Sequence, residues 1–405
     1  MPVGFHTWAP AVGAPARTRA IMPTAPLYFD YAATTPVDDR VIEAMMACLG
    51  REANFGNPAS SGHAHGKAAR EAVEQARCQV AEQIGAQPDE LVWTSGATES
   101  NNLALKGIAQ GFDKPGHLIT SQLEHKAVLD TAAELERLGW AVTRLAPDAR
   151  GLIQAEAVQA ALRAETRLVS LMAVNNELGT ITDFASIGAR VRAHGALLHV
   201  DAAQAVGKVL IDLARQPVDL MSFSAHKAYG PKGIGALFVG ARAHPLLRAQ
   251  MHGGGHERGL RSGTLATHQI VGMGSAFALA GQPGDGEHAR LQRLSDRLRD
   301  GLLGLPGVRL NGCPTQRIAH TLNLCIDAKG FNSNALAGEL ALSTTSACNS
   351  AANSASHVLL ALGLSEAQAR NSVRLSIGRY TTEQDVDKAV EVFGRVIAAG
   401  SVALW

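Results

Sequence analysis

Val218-Asp-Leu-Met-Ser-Phe-Ser-Ala-His-Lys-Ala-Tyr-Gly-Pro-Lys-Gly233 decides how the rest of the chain is read. An apolar run, Val218 to Phe223, passes into Ser224, His226 and Lys227 and is halted by a Gly-Pro turn. That pattern predicts a buried strand whose carboxyl end presents a lysine. Burial penalises an ammonium, so such a lysine gives up its proton more readily than a solvated one and can then condense with an aldehyde as a Schiff base.

Further strands are read on both sides of this one. Glu90–Thr94, His117–Thr120, Arg167–Met172, Ala196–Val200 and Gly235–Val239 are short apolar runs separated by amphipathic stretches such as Glu99–Ala109. Strands alternating with helices predict an α/β fold around a mainly parallel sheet. The break Gly281-Gln-Pro-Gly-Asp-Gly286 marks a domain boundary, followed by a charged helix, Glu287–Leu303, and a strand, His320–Ile326. Residues 343–356 are nearly all Ser, Thr, Ala and Asn and read as a loop.

Ligands of open parallel sheets collect outside the carboxyl ends of the strands. Here those ends carry Thr94-Ser-Gly-Ala-Thr98, His125, Asn175-Asn-Glu177, Asp201-Ala-Ala-Gln204 and Ser224-Ala-His-Lys227. Ser95–Thr98 opens a helix, where free N–H groups suit a phosphate, although an ordinary helix cap reads the same way. Asp201 ends an apolar strand and requires a cation, either an Arg or Lys elsewhere or a protonated pyridine nitrogen. Gln204 could donate to a ring hydroxyl. His125 could stack on a ring and carry protons, or simply hold structure. A lysine, a phosphate cradle and a carboxylate facing a ring nitrogen are together what pyridoxal phosphate requires.

Composition narrows the alternatives. The chain has 405 residues, 46% hydrophobic and 18% charged, with 37 basic against 36 acidic side chains. It is long enough for one large and one smaller domain, and the charge balance gives no footprint for direct nucleic-acid or anionic-membrane binding. No apolar run is long enough to span a bilayer. Five cysteines, Cys48, Cys78, Cys313, Cys325 and Cys348, are irregularly spaced without a CxxC pair, which reads as a reduced, cytoplasmic protein with neither disulfides nor a zinc site. His252 and His256 flank Gly253-Gly-Gly255 but lack carboxylate or thiol companions, so no metal is expected. Residues 1–26 are rich in Ala and Pro and lack the apolar core of a secretory signal; they read as a disordered extension, with a transit peptide as the alternative.

Thr94-Ser-Gly-Ala-Thr-Glu-Ser100, Glu124-His-Lys-Ala-Val128, Val174-Asn-Asn-Glu177, His199-Val-Asp-Ala-Ala-Gln204, Ser222-Phe-Ser-Ala-His-Lys227 and His252–Thr264 resemble the motifs of the cysteine desulfurases. These are pyridoxal-phosphate enzymes of iron–sulfur cluster assembly with the class V aminotransferase fold. The resemblance runs from Tyr28-Phe-Asp-Tyr-Ala-Ala-Thr-Thr-Pro36 to about Asp387. It implies a PLP-dependent transferase (aspartate aminotransferase-like) fold: a large cofactor-binding domain, 37–283, with a mainly parallel seven-stranded sheet, and a smaller α+β domain from 27–36 and 284–405.

The resemblance also implies roles. Lys227 carries the cofactor, Asp201 pairs with its pyridine nitrogen, Gln204 with its ring oxygen, and His125 stacks on the ring. Ala97, Thr98, Ser224 and His226 hold the phosphate. Thr264 reaches the phosphate of a neighbouring subunit, which implies a homodimer. Asn176 and Arg374 bind the substrate carboxylate, for which a guanidinium fork is apt. Cys348 is the nucleophile: it takes sulfur from L-cysteine as a persulfide, leaves L-alanine, and passes the sulfur to an acceptor protein such as an iron–sulfur scaffold. Cys48, Cys78 and Cys325 read as inert core. Three departures surround the nucleophile. Thr345 replaces a usual glycine, Ala351–Ser356 replaces a Leu-Glu-Pro-like turn, and Leu360 stands where Arg or Lys is common. They keep two other readings open, a selenocysteine lyase or other class V lyase, and a divergent cofactor-binding scaffold or regulatory paralogue.

Overall fold

In the computed structural model, which describes residues 25–281, 286–344 and 355–402, the run before Lys227 lies inside a seven-stranded sheet. Strands are numbered along the chain. β1 (Leu27–Tyr28) stands apart; β2 (Leu91–Thr94), β3 (His117–Ser121), β4 (Ala141–Leu145), β5 (Thr166–Met172), β6 (Leu197–Asp201), β7 (Leu220–Ser224) and β8 (Gly235–Val239) form the large sheet in the order β2-β8-β7-β6-β5-β3-β4. Only β8 runs against its neighbours, pairing antiparallel with β2 and β7, while the other pairings are parallel. The carboxyl ends of β2, β3, β5, β6 and β7 therefore share one edge.

Helices cover both faces, so the central strands are buried on both sides and read as unbroken apolar runs rather than alternating ones. On one face Trp93, Phe223 and Phe277 pack with the helices Ala64–Ile84 and Thr267–Ala278; on the other Leu105, Ile108 and Leu118 pack with Ala97–Ala109. Each such side chain, fully withdrawn from water, stabilises the fold by roughly 1.5–3 kcal/mol. The edge strand β4 is only half-buried, which is why its sequence lacks the apolar signal of the others. The expected start at Glu90 shifts by one residue because Pro88–Glu90 forms a 3₁₀ turn whose Glu90 carboxylate accepts the Gln87 N–H at 2.9 Å.

Beyond the break, β9 (Val308–Leu310), β10 (Thr321–Ile326), β11 (Leu340–Ala341), β12 (Ser343–Thr344) and β13 (Ser372–Ser376) follow. All but β11 form an antiparallel sheet, β12-β13-β10-β9, under the helices Gly286–Leu303 and Glu383–Val402. Leu294, Leu298, Leu302, Val392 and Phe393 fill that second core.

β1 pairs in parallel with β11, and the segment after it runs back across the large sheet. Ala32 N–H donates to Ser376 Oγ at 2.8 Å, and Thr35 N–H donates to the His226 carbonyl at 2.9 Å. Residues 27–35 thus tie the small sheet to the lysine turn. Residues 1–24 of the expected extension lie outside the described residues. Among the described residues, no helix is long and apolar enough to cross a membrane.

Candidate active site

A cavity of about 510 Å³ opens at the shared strand edge. Ala97, Thr98, His125, Asn176, Asp201, Gln204, Ser224, His226, Lys227 and Arg374 all line it, although they come from separate parts of the sequence. Thr264 does not; it is exposed, on the segment that follows the three-glycine loop. Cys348 lies outside the described residues, but the flanking positions are placed: Ser343 pairs with Arg374 in the small sheet, and the Ser356 hydroxyl donates to Glu177 Oε2 at 2.6 Å.

The helix Ala97–Ala109 begins at Gly96, whose φ of 152° favours glycine and lets the backbone turn sharply out of β2. Its first N–H groups face no carbonyl one turn earlier and carry the positive end of the helix dipole. Ser224 and His226 approach the same end from β7. The Thr34 hydroxyl and His226 Nδ1 lie 3.1 Å apart, and burial together with the charges of Lys227, Lys232 and Lys208 lowers the His226 pKa to about 4, so the ring is neutral at ordinary pH. The next turn is rigid. Tyr229 adopts a φ of 62°, its N–H donates to Thr35 Oγ1 at 2.8 Å, and its hydroxyl accepts the Arg379 N–H at 2.6 Å.

Asp201 ends β6 and is 6% exposed. Its Oδ2 accepts from Asn101 Nδ2 at 2.7 Å and its Oδ1 from the Ala203 N–H at 3.0 Å. Both of its oxygens are thus held by neutral donors. A buried carboxylate held by two neutral donors and facing a cavity is suited to a cationic ring nitrogen.

His125 caps the helix Lys126–Arg137, its Nδ1 accepting the Ala127 N–H at 3.1 Å. In the neutral ring the proton is therefore on Nε2, which is left for exchange. Surrounding protein and the Lys227 charge lower its pKa, while Asp201 partly opposes them. Beside it, Glu124 is buried and its carboxyl is raised to about 8, chiefly by burial.

Arg374 Nη1 donates to the Asn176 carbonyl at 2.8 Å and Nη2 to Asp30 Oδ1 at 2.7 Å, whereas its buried Nε has no partner among the described residues. The fork is oriented and still has a donor to give. Asn101 is a site residue that the sequence reading missed. It lies three positions after Thr98, on the same helix face, which is the signal that could have found it. Its buried Oδ1 is unpartnered among the described residues.

The residues fit pyridoxal phosphate: a helix end for the phosphate, a buried carboxylate held by neutral donors for the ring nitrogen, and a lysine just past the end of β7. Among the described residues, no group of three or more His, Cys, Asp or Glu side chains is placed to hold a metal ion. One expectation is corrected. Cys78, read as core, is exposed, because the helix Ala64–Ile84 buries Val73, Ala76, Arg77, Val80 and Ala81 and turns Cys78 outward; Cys48 and Cys325 are buried.

The aminotransferase class-V family model matches residues 27–389. The cysteine desulfurase IscS of Acinetobacter baumannii (strain AYE) is 56% identical over 370 residues, which is 91% of each chain. Among solved structures, a NifS-like protein superimposes with a TM-score of 0.84 at 35% identity, covering 92% of this chain and all of that one. SspA in complex with cysteine superimposes with a TM-score of 0.77 at 40% identity, covering 88% of this chain and 99% of that one. Family model, full-length relatives and fold agree, and the chain belongs to the class V aminotransferase family and, within it, to the cysteine desulfurases.

Proposed function

We propose that this protein removes sulfur from L-cysteine, giving L-alanine, with pyridoxal phosphate as cofactor and Cys348 as the residue that receives the sulfur. The observation that carries the reading is Asp201, a buried carboxylate held by two neutral donors, lining one cavity with Lys227 and the helix end at Ala97. When bound, the cofactor withdraws electrons from the substrate α-carbon.

The chain's own groups do the rest. Lys227 holds the cofactor through Nζ. Asp201, fixed by Asn101 and Ala203, keeps a proton on the ring nitrogen, and Gln204 meets the ring oxygen. Ala97, Thr98, Ser224 and His226 hold the phosphate. Arg374 and Asn176 orient the carboxylate of the substrate, and His125 moves protons through Nε2. The Cys348 thiolate takes up the sulfur as a persulfide, which an acceptor protein such as an iron–sulfur scaffold then receives. The work is divided between a large domain, 37–283, that holds the cofactor and a small one, 27–36 with 284–405, that bears Arg374 and Cys348.

The active form is a homodimer in the cytoplasm. Ile42, Met46, Leu49, Phe55 and Met251 are large apolar side chains left exposed on one chain, Met46 at 62%, and a second copy would cover them. Thr264, exposed and outside its own cavity, would serve the neighbour's phosphate.

The test is direct. Protein loaded with pyridoxal phosphate and given L-cysteine and a thiol reductant should release alanine and sulfide in equal amounts. Lys227→Ala should lose the cofactor's visible band, and Cys348→Ser should keep the band but release neither product. Full turnover by Cys348→Ser would overturn the assignment of the sulfur to that thiol, and absence of alanine from the wild-type protein would overturn the function.

A further inference from the structure

Gln204 is held from both ends. Its Nε2 donates to the Ala32 carbonyl at 2.7 Å, and its Oε1 accepts from Lys208 Nζ at 3.0 Å. A carbonyl can only accept and an ammonium can only donate, so both contacts demand the same orientation of the amide. The second N–H of the amide is left uncommitted among the described residues, and Gln204 lines the cofactor cavity. The spacing of four residues, with the Lys208 N–H bonded to the Ala205 carbonyl and that of Val209 to the same oxygen, brings Lys208 over Gln204 by one turn of chain.

Lys208 itself is costly to keep there. It is half-buried and makes no ion pair among the described residues. Burial and the charges of Lys227 and Arg374 bring its pKa down to about 7. Behind it, Glu287, His288, His320 and Arg379 line a separate cavity of about 40 Å³, and there the Glu287 carboxylate is already bonded to Arg379 at 3.0 Å. A cation held in such surroundings against a neutral amide is poorly explained by stability alone.

We propose that Lys208 is a positioning residue of the cofactor site, acting through Gln204 to fix and polarise the amide N–H that faces the ring oxygen of pyridoxal phosphate. The inference rests on the reading that Gln204 meets that oxygen. While Lys208 is protonated, up to about pH 7, a donor backed by its positive charge stabilises the ionised ring oxygen and so lowers the pH at which the bound cofactor loses its proton.

The experiment uses the full chain loaded with cofactor, with the visible band followed across pH in the wild type, Gln204→Ala, Lys208→Met, Lys208→Gln and the double variant Gln204→Ala/Lys208→Met. Gln204→Ala should raise the pH midpoint of the band by about one unit, and Lys208→Met should raise it by about half of that or more. Lys208→Gln keeps a donor without the charge and should fall between wild type and Lys208→Met. Lys208→Met should add nothing once Gln204 is absent. A purely structural role would move the melting temperature of Lys208→Met and leave its midpoint at the wild-type value, and that result would overturn the proposal. So would a further shift of full size in the double variant, because Lys208 would then act without Gln204. A wild-type midpoint in Gln204→Ala would instead show that this amide does not meet the ring oxygen, removing the reading beneath the proposal.

Discussion

Replacing Glu124 with Gln should stabilise the protein, and increasingly so as pH rises. Glu124 is 1% exposed, accepts the Ser121 hydroxyl at 2.6 Å, and has its other carboxyl oxygen buried without a partner among the described residues. Burial, and to a lesser degree the charge of Asp201, move its pKa from 4.5 to about 8. Between those two values the folded chain holds a proton that the unfolded chain has released. The contribution is therefore fully present below pH 4.5 and lost as pH rises through about 8. At about 1.4 kcal/mol per unit, the loss is about 3 kcal/mol at pH 7 and nears 5 kcal/mol above pH 8.5. Glutamine is neutral throughout and of the same shape, so Glu124→Gln escapes this loss while keeping an acceptor for Ser121. Urea unfolding of cofactor-loaded wild type and variant, at about pH 5, 7 and 8.5, reads the difference as a midpoint shift at unchanged slope. A gap between the two proteins that stays constant over that range would refute the reasoning, for it would mean that Glu124 titrates alike in both states. The neutral acid also matters to the proposed site, because it leaves Asp201 as the carboxylate that the ring nitrogen would meet.

Other substitutions test the site and its supports. Arg374→Ala should raise the KM for cysteine by roughly 10- to 100-fold, the worth of a charge-assisted bond to the substrate carboxylate, with the cofactor band unchanged; an unaltered KM would remove Arg374 from substrate binding. Asn101→Ala takes away one of the two donors to Asp201 and should weaken cofactor retention by about tenfold, read by titrating the apo-protein with pyridoxal phosphate. Arg77→Met strands the Glu257 carboxylate, which Arg77 meets at 2.8 and 3.0 Å in the core, and should destabilise by about 3–5 kcal/mol in thermal unfolding. A change within error would show that Glu257 finds another partner.

The sheet was readable because its inner strands are covered on both faces, so β5, β6, β7 and β8 read as plain apolar runs, the first three of them leading into polar groups. β4, at the edge, and the two-residue strands β1, β11 and β12 escaped notice because such short or half-exposed pairings leave no periodic trace. The candidate site was legible where chemistry sits at or just past a strand end: Asp201 closes β6, Lys227 follows β7, and His125 lies in the turn after β3. Asn101 was not legible, since an Asn inside a helix resembles any polar position until Asp201 is seen beside it. Lys208 was equally opaque; its meaning depends on the fold of one amide, Gln204, between it and the Ala32 carbonyl.

The tie made by residues 27–35 bears on how the protein is born. The N–H of Ala32 meets a hydroxyl 344 positions later in the chain, and the same backbone supplies the carbonyl that anchors Gln204. During synthesis this segment must wait for β13, 344 positions later, before it can be seated. Contacts of such long separation are slow to form, since a long loop must close before they give anything back. The seven-stranded sheet can be assembled early, but the floor of the cofactor cavity is finished only when β13 arrives. Newly made chains should therefore acquire their yellow colour after release, as a late and single step.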